Sequence, residues 1–134
     1  MKTTLFVLFS FLAIGVGAQE KDSVKTPVQE QTFTFADEMP QFPGGDQKMY
    51  EFISQNTVYP DSAKKHGIEG RVVVRFIVKK DGSISDPQIM KSASHGLNEE
   101  AIRVVKLMPK WTPGKQNGKP VSVYFMLPIQ FKLD

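Results

Sequence analysis

The feature that most constrains this chain is an alternating stretch from Arg71 to Lys80, followed at once by Asp81-Gly82. Alternation of apolar and mixed positions, rich in β-branched residues, predicts a strand with one buried face. That face carries Val72, Val74, Phe76 and Val78. Asp-Gly favours a hairpin because glycine adopts positive φ without steric cost. The chain is therefore expected to reverse and to return antiparallel from Ser83 to Lys91.

A second alternating stretch closes the chain. One face holds only apolar residues: Val121, Val123, Phe125, Leu127, Ile129 and Phe131. Each would contribute about 1.5 to 3 kcal/mol on full burial, so this strand is expected to form much of the core. Ser122 is assigned to the opposite, outward face. Pro128 lacks an amide hydrogen, which places this strand at an edge of the sheet.

Helices are predicted between these strands and before them. Asp46 is expected to cap a helix that runs to about Gln55, and a short helix beginning at Pro60 is stopped by glycine. Apolar spacings of three and four predict a helix from about Asn98, its expected cap, to Met108. Trp111 is expected to seal the end of the core. The predicted fold is α+β, with a three-stranded, largely antiparallel sheet, its central strand at 71–80, and helices packed on one face.

The N-terminus divides into two segments before this domain. Residues 1–18 resemble a secretory signal peptide, with an uncharged apolar run and Val16-Gly17-Ala18 before the expected cleavage point. The alternative is an uncleaved anchor in the inner membrane, although such a run would span only about 24 Å of a core roughly 30 Å thick. Residues 19–41 are polar, mostly acidic, and expected to form a disordered leader. The domain itself is assigned to residues 42–134.

Composition argues against several classes of function. The chain has no cysteine, and its formal charge of +3 is small and interspersed, which disfavours a nucleic-acid surface. Phe42-Pro43-Gly44-Gly45-Asp46 lacks the GK[ST] continuation of a phosphate loop. His66 and His95 have no metal-ligand spacing, and no nucleophile or paired-carboxylate motif is present. We therefore expect no enzyme, no catalytic residue, no metal and no cofactor.

Several separated motifs together resemble the C-terminal domain of the TonB energy-transducer family, over roughly residues 41–134. They occur in the family's order: Tyr59-Pro60, Gly67-Ile68-x-Gly70, the first strand, Asp81-Gly82, Pro109-x-Trp111-x-Pro113-Gly114 and the closing strand. The sequence departs from the family in its leader, which is short and contains only Pro27 and Pro40 where transducers have a long Pro-rich spacer.

The resemblance implies a periplasmic module that binds a TonB-dependent outer-membrane transporter in energy-coupled transport. In the family, the last strand pairs with a short transporter peptide, the TonB box. The corresponding residues here are Val121, Ser122, Val123, Tyr124, Phe125 and Met126. A second contact region corresponds to Tyr59 and Pro60, preceded here by Val58 where some members have glutamine. Inner-membrane proton-channel proteins are further implied partners.

Two alternative hypotheses use the same exposed strand edge. The first is a structural or adaptor domain that pairs with another copy of itself to form a homodimer. The second is an accessory domain of a cell-envelope sensing system that has adopted the same fold. Neither composition nor spacing separates these hypotheses from transporter binding.

The first testable prediction concerns export. We expect residues 1–18 to be absent from the protein purified from its native host, because their apolar run is too short for a typical membrane span. Intact-mass spectrometry of the envelope fraction measures this directly. A full-length chain retained in the inner membrane would instead establish the anchored alternative.

Overall fold

A computed structural model describes residues 31–134 of this chain. The signal peptide expected at residues 1–18 and the leader up to residue 30 lie outside the described residues. The described elements, in order, are β1 (Thr32–Phe33), α1 (Asp46–Asn56), α2 (Asp61–Lys65), β2 (Gly70–Val78), β3 (Ile84–Lys91), α3 (Leu97–Lys106), β4 (Gly114–Gln116) and β5 (Lys119–Phe131). All the predicted helices and strands are present, close to their expected bounds.

The strands form one sheet in the order β1-β5-β2-β3, and β4 forms a hairpin with the start of β5. Strand β2 is central and runs antiparallel to both neighbours, with Val74 in register with Ile89 of β3 and Leu127 of β5. The predicted α+β class and central strand are confirmed. The sheet has five strands instead of three because two short segments, β1 and β4, add to β5.

The core lies between the sheet and the helices and contains the predicted faces. Every apolar residue of the first alternating face of β2 is fully buried, Phe76 among them. From β5 the fully or almost fully buried residues are Val123, Leu127, Ile129 and Phe131. Helix α3 adds Leu97, Ala101, Val104 and Val105. The period-two and helical patterns therefore identified most of the buried residues, because burial of one face is what generates such patterns; Val121 and Phe125 of the predicted face are only half-buried.

Trp111 closes the end of the core, as predicted, with 3% of its surface exposed. Its ring lies 5.7 Å from Phe42, 5.5 Å from Phe76 and 4.9 Å from Phe125, each edge-on. Edge-on contacts are favourable because the positive edge of one ring meets the negative face of another. The backbone N–H of Trp111 also donates to the carbonyl of Gly82 at 2.8 Å, which attaches this segment to the β2–β3 turn.

The predicted side-chain caps of two helices are wrong. Helix α1 begins at Asp46 and is capped by Gly45, and α3 begins at Leu97 and is capped by Gly96; neither cap has a side-chain hydrogen bond. Asn98 instead accepts a hydrogen bond from the Ala93 N–H at 2.9 Å, which holds the preceding loop. Both caps have positive φ, a conformation that glycine supplies at low cost, so glycine displaces the polar residue from the cap position.

Phe76 provides a test of the assigned faces. We expect Phe76→Ala to lower the free energy of unfolding by about 3 to 5 kcal/mol, because it would leave a cavity in the centre of the core. Lys79→Ala, at an exposed position just beyond β2, should change it by less than about 0.5 kcal/mol. Urea unfolding of the two variants provides the measurement, and similar losses in both would contradict the assignment.

Gly82 should be the least replaceable glycine of the two hairpin turns. A Cβ added there would lie 2.2 Å from the carbonyl oxygen of Trp111, at a backbone φ of +89. Gly118 has a similar φ of +77 but open space around the position of its Cβ. We expect Gly118→Ala to cost about 1 to 2 kcal/mol from conformation alone. Gly82→Ala should lower the free energy of unfolding by at least about 2 kcal/mol more than Gly118→Ala, measured by thermal or urea unfolding. Equal losses in the two variants would show that the Trp111 carbonyl does not prevent a side chain at position 82.

Candidate functional site

The predicted binding segment, residues 121–126, forms the first half of β5. Tyr124 and Phe125 are half-buried and Met126 is 52% exposed. The assignment of Ser122 to the solvent-facing side is wrong: Ser122 is only 4% exposed, and its Oγ accepts a hydrogen bond from the Lys80 N–H at 3.2 Å. Neighbouring elements on both sides of β5 cover this position, which no alternation pattern in β5 itself could reveal.

One of those neighbours is β1, which lies along the outer edge of β5. The two strands are parallel, with Thr32 in register with Ser122 and Phe33 in register with Val123. The leader expected to be disordered thus contributes a strand to the sheet from its described part. Beyond Val123, β5 pairs only with β2 among the described strands, so its other edge remains open there.

The described leader is fixed to the domain again just after β1. Glu38 and Lys115 exchange two backbone hydrogen bonds of 3.0 and 2.8 Å, and Gln41 and Thr112 do the same at the same distances. The Asp37 carboxylate accepts a hydrogen bond from the Asn117 N–H at 2.9 Å. These contacts hold residues 37–41 against the β4–β5 hairpin.

A groove of about 550 Å³ extends from β5 across β2 to β3. Its lining combines residues from the leader and the sheet: Thr34, Phe35, Met39, Arg75, Met90, Tyr124, Phe125 and Met126. Phe35 is 79% exposed and Met90 49% exposed, which makes the groove an apolar surface open to solvent. The guanidinium of Arg75 lies 4.4 Å from the centre of the Tyr124 ring, a cation–π contact that fixes that ring.

The second predicted region, Tyr59 and Pro60, lies away from the 121–126 segment. The Tyr59 ring contacts Phe131 edge-on at 5.9 Å, and its hydroxyl donates to the Ile68 carbonyl. Burial raises the Tyr59 pKa, and the nearby Glu69 carboxylate raises it further, which favours the protonated phenol that donates this hydrogen bond. At about 3.3 Å per residue, Phe131 lies roughly 16 Å along β5 from Met126. The structure therefore places the two predicted regions towards opposite ends of one strand.

Glu100, which the sequence did not single out, holds the loop that leads to Tyr59. Its carboxylate accepts hydrogen bonds from the Val58 N–H at 2.6 Å and from the Arg103 guanidinium at 2.6 and 2.8 Å. Arg103 in turn donates to the Asn56 carbonyl at 2.7 Å. The hydrogen bonds from Arg103, reinforced by the one from Val58, lower the Glu100 pKa. An acidic residue in the first turn of a helix gives no sequence signal for such a distant contact.

The described residues do not cluster their metal-ligating side chains. They contain no group of three or more histidine, cysteine, aspartate or glutamate side chains that could hold a metal ion. His66 and His95, which are far apart in sequence, have rings 5.3 Å apart on the surface. Across residues 31–134, no helix has the length and apolar composition needed to cross a membrane.

The comparisons with known proteins agree with this architecture. Residues 55–133 match the family model described as the Gram-negative bacterial TonB protein C-terminal. The chain is 32% identical over 87 residues to the TonB protein of Helicobacter pylori, and 35% identical over 79 residues to that of Pseudomonas aeruginosa. The solution structure of the H. pylori TonB-CTD superposes with a TM-score of 0.51 at 31% identity, covering 66% of this chain and 79% of that one.

These findings define first a class, that of small α+β C-terminal domains of Gram-negative bacterial proteins. The chain belongs to the TonB C-terminal domain family, since the family model covers more than half of its length. The matched segment is 64% of this chain but only 29% of the H. pylori TonB protein, and 58% and 22% in the P. aeruginosa comparison.

The Glu100 contacts lead to a pH-dependent prediction. Folding lowers the Glu100 pKa, so its stabilising effect is complete above the ordinary value of 4.5 and is lost as the pH falls through the lower folded value. We expect Glu100→Gln to lower the free energy of unfolding by about 1 kcal/mol at pH 7 and by almost nothing in strong acid. Urea unfolding as a function of pH measures this. Glu99→Gln, at an exposed neighbouring position, should show no comparable change, and equal effects would contradict the role of Glu100.

Proposed function

We propose that this chain is an exported, non-enzymatic binding module that engages a TonB-dependent outer-membrane transporter by strand addition at the β5 edge. The peptide would pair with the segment from Val121 to Met126, as the resemblance to the family implies. The observation that carries the proposal is the outer edge of β5 beyond Val123, where none of the described strands pairs with it, together with the apolar groove that extends from β5 across the sheet. An unpaired edge offers amides and carbonyls that an extended peptide can satisfy.

The groove supports this proposal by supplying specificity. Main-chain hydrogen bonds give a strand-adding peptide its affinity, whereas pockets for alternate side chains distinguish one peptide from another. Met39, Met90 and Met126 at the groove are 40%, 49% and 52% exposed. Methionine is flexible and polarisable, so these side chains can adapt to different apolar residues of a partner. A transporter segment with apolar side chains at alternate positions would fit this surface.

Residues Tyr59 and Pro60 would form a separate contact with the same transporter. They lie towards the other end of β5, where Tyr59 packs against Phe131. A partner that touches both regions must therefore extend along the strand or present a second segment. Coupling to inner-membrane proton-channel proteins is a further part of the proposal, and it rests on the family alone.

A homodimer is the competing proposal, and the same exposed groove favours it. Phe35 and Met126 would be covered if two copies paired through this surface. Light scattering of the mature chain at several concentrations distinguishes the two proposals. A stable dimer that binds no transporter peptide would support self-pairing.

Replacement of a single residue tests strand addition at the β5 edge. Tyr124→Pro deletes a donor and places a ring where an added strand would run. We expect it to weaken binding of transporter-derived peptides at least tenfold, about 1.4 kcal/mol, in calorimetric titrations of a protein shown to be folded by circular dichroism.

The matched control is Tyr124→Val, which removes the aromatic ring but keeps the backbone amide and a good strand former. Because the Tyr124 ring lines the groove, some affinity should be lost, but no more than about threefold, or about 0.65 kcal/mol. A folded Tyr124→Pro variant with parental affinity would contradict strand addition at this edge. Losses of equal size in both variants would show that the Tyr124 side chain, and not the backbone, makes the contact.

A further inference from the structure

The leader strand β1 occupies part of the edge that the proposed partner would use. Thr32 and Phe33 pair in parallel with Ser122 and Val123, inside the segment assigned to partner binding. A strand edge can pair with only one neighbour at a time, because each outward amide and carbonyl is satisfied once. An added peptide that covers the whole segment must therefore displace β1.

Strand β1 is held to the domain less firmly than the leader residues that follow it. The strand has two residues, both half-buried, and Thr34 and Phe35 after it are exposed. Residues 37–41, by contrast, are held by the paired backbone bonds at Glu38 and Gln41, and the neighbouring Phe42 is part of the core. The leader can therefore release its first part at residues 34–36 without losing its attachment to the domain.

From this arrangement, we propose that β1 is an internal competitor which partly closes the β5 edge until a longer partner strand replaces it. The inference rests on the proposed function, because it describes the regulation of the same site. The competitor is tethered, so its effective concentration at the edge is high, in the millimolar range typical of short flexible links. A partner peptide succeeds by pairing with more of β5 than two residues can.

Displacement of β1 also changes the groove. Thr34 and Phe35, which directly follow β1, form part of its lining together with Tyr124 and Met126. When β1 leaves the edge, these two leader residues move with it, and the side of the groove nearest β5 becomes available to the incoming strand. Displacement of β1 therefore opens both the strand edge and this side of the groove.

A disulfide that locks β1 in place tests this proposal. The chain contains no cysteine, so Thr32→Cys with Ser122→Cys introduces one unique pair at positions in register. Neighbouring strands lie about 4.8 Å apart, within the Cα separation that disulfides tolerate. The oxidised and reduced forms of this one protein then differ only in whether β1 can leave. Ser122→Cys alone controls for the change at the buried serine.

The opposite variant, Thr32→Pro with Phe33→Pro, releases β1. Neighbouring amides on a strand point to opposite sides, so the double change removes whichever amide faces β5. Two synthetic peptides serve as probes: the N-terminal box of a TonB-dependent transporter, and a copy of this chain's residues 29–36. Binding is measured by NMR from the amide shifts of Val123 to Met126 in the mature chain.

We expect the oxidised lock to bind either peptide at least tenfold more weakly than the same protein after reduction. The double-proline variant should bind at least threefold more tightly than the parent. If the transporter peptide binds the oxidised and reduced forms equally at this edge, the competitor proposal is wrong while the proposed function stands.

The leader peptide separates the remaining outcomes. If no form binds the transporter peptide, but the double-proline variant binds the leader peptide and the oxidised lock does not, the competitor proposal holds and the proposed function fails. If the double-proline variant does not bind the leader peptide either, β1 has no measurable affinity for the edge and the competitor proposal is overturned.

Discussion

The contact between Trp111 and the β2–β3 turn is the constraint on which the rest of this domain depends. The Trp111 N–H bonds to the Gly82 carbonyl, and the space at Gly82 is too small for any side chain. The same tryptophan ring joins Phe42 before the first helix, Phe76 in the central strand and Phe125 in the last strand. One residue thereby brings together segments from both ends of the domain.

That contact also decides where the last strand begins. After Trp111 the chain is held by Thr112 and Lys115 against the leader, and it then turns at Asn117-Gly118 into β5. The position of the predicted binding segment is therefore set by packing at the end of the core. The buried Trp111 Nε1 bonds to none of the described residues, and the indole is held by its ring contacts with Phe42, Phe76 and Phe125.

The β5 edge combines features that are opposed in an ordinary sheet. An open edge is a liability for aggregation, and proteins usually cover or charge it. Here β1 pairs with Ser122 and Val123, and none of the strands within residues 31–134 pairs with this edge farther along β5, next to exposed methionines. The Glu100–Val58 contact, at the other side of the domain, fixes the loop before Tyr59 independently of this edge.

The sequence by itself determined most of the buried faces of β2, β5 and α3, the reversal at Asp81-Gly82 and the family. These features depend on residues that are close together in the sequence, either through the period of burial or through the conformation of a turn. Only the tertiary structure decided that Ser122 is buried, that Glu100 binds the Val58 amide, and that β1 lies on β5. Each of these joins residues more than 40 positions apart through backbone groups or through a two-residue strand. Backbone groups are the same in every residue, so their partners are chosen by the packing of the whole domain and leave no pattern in the local sequence.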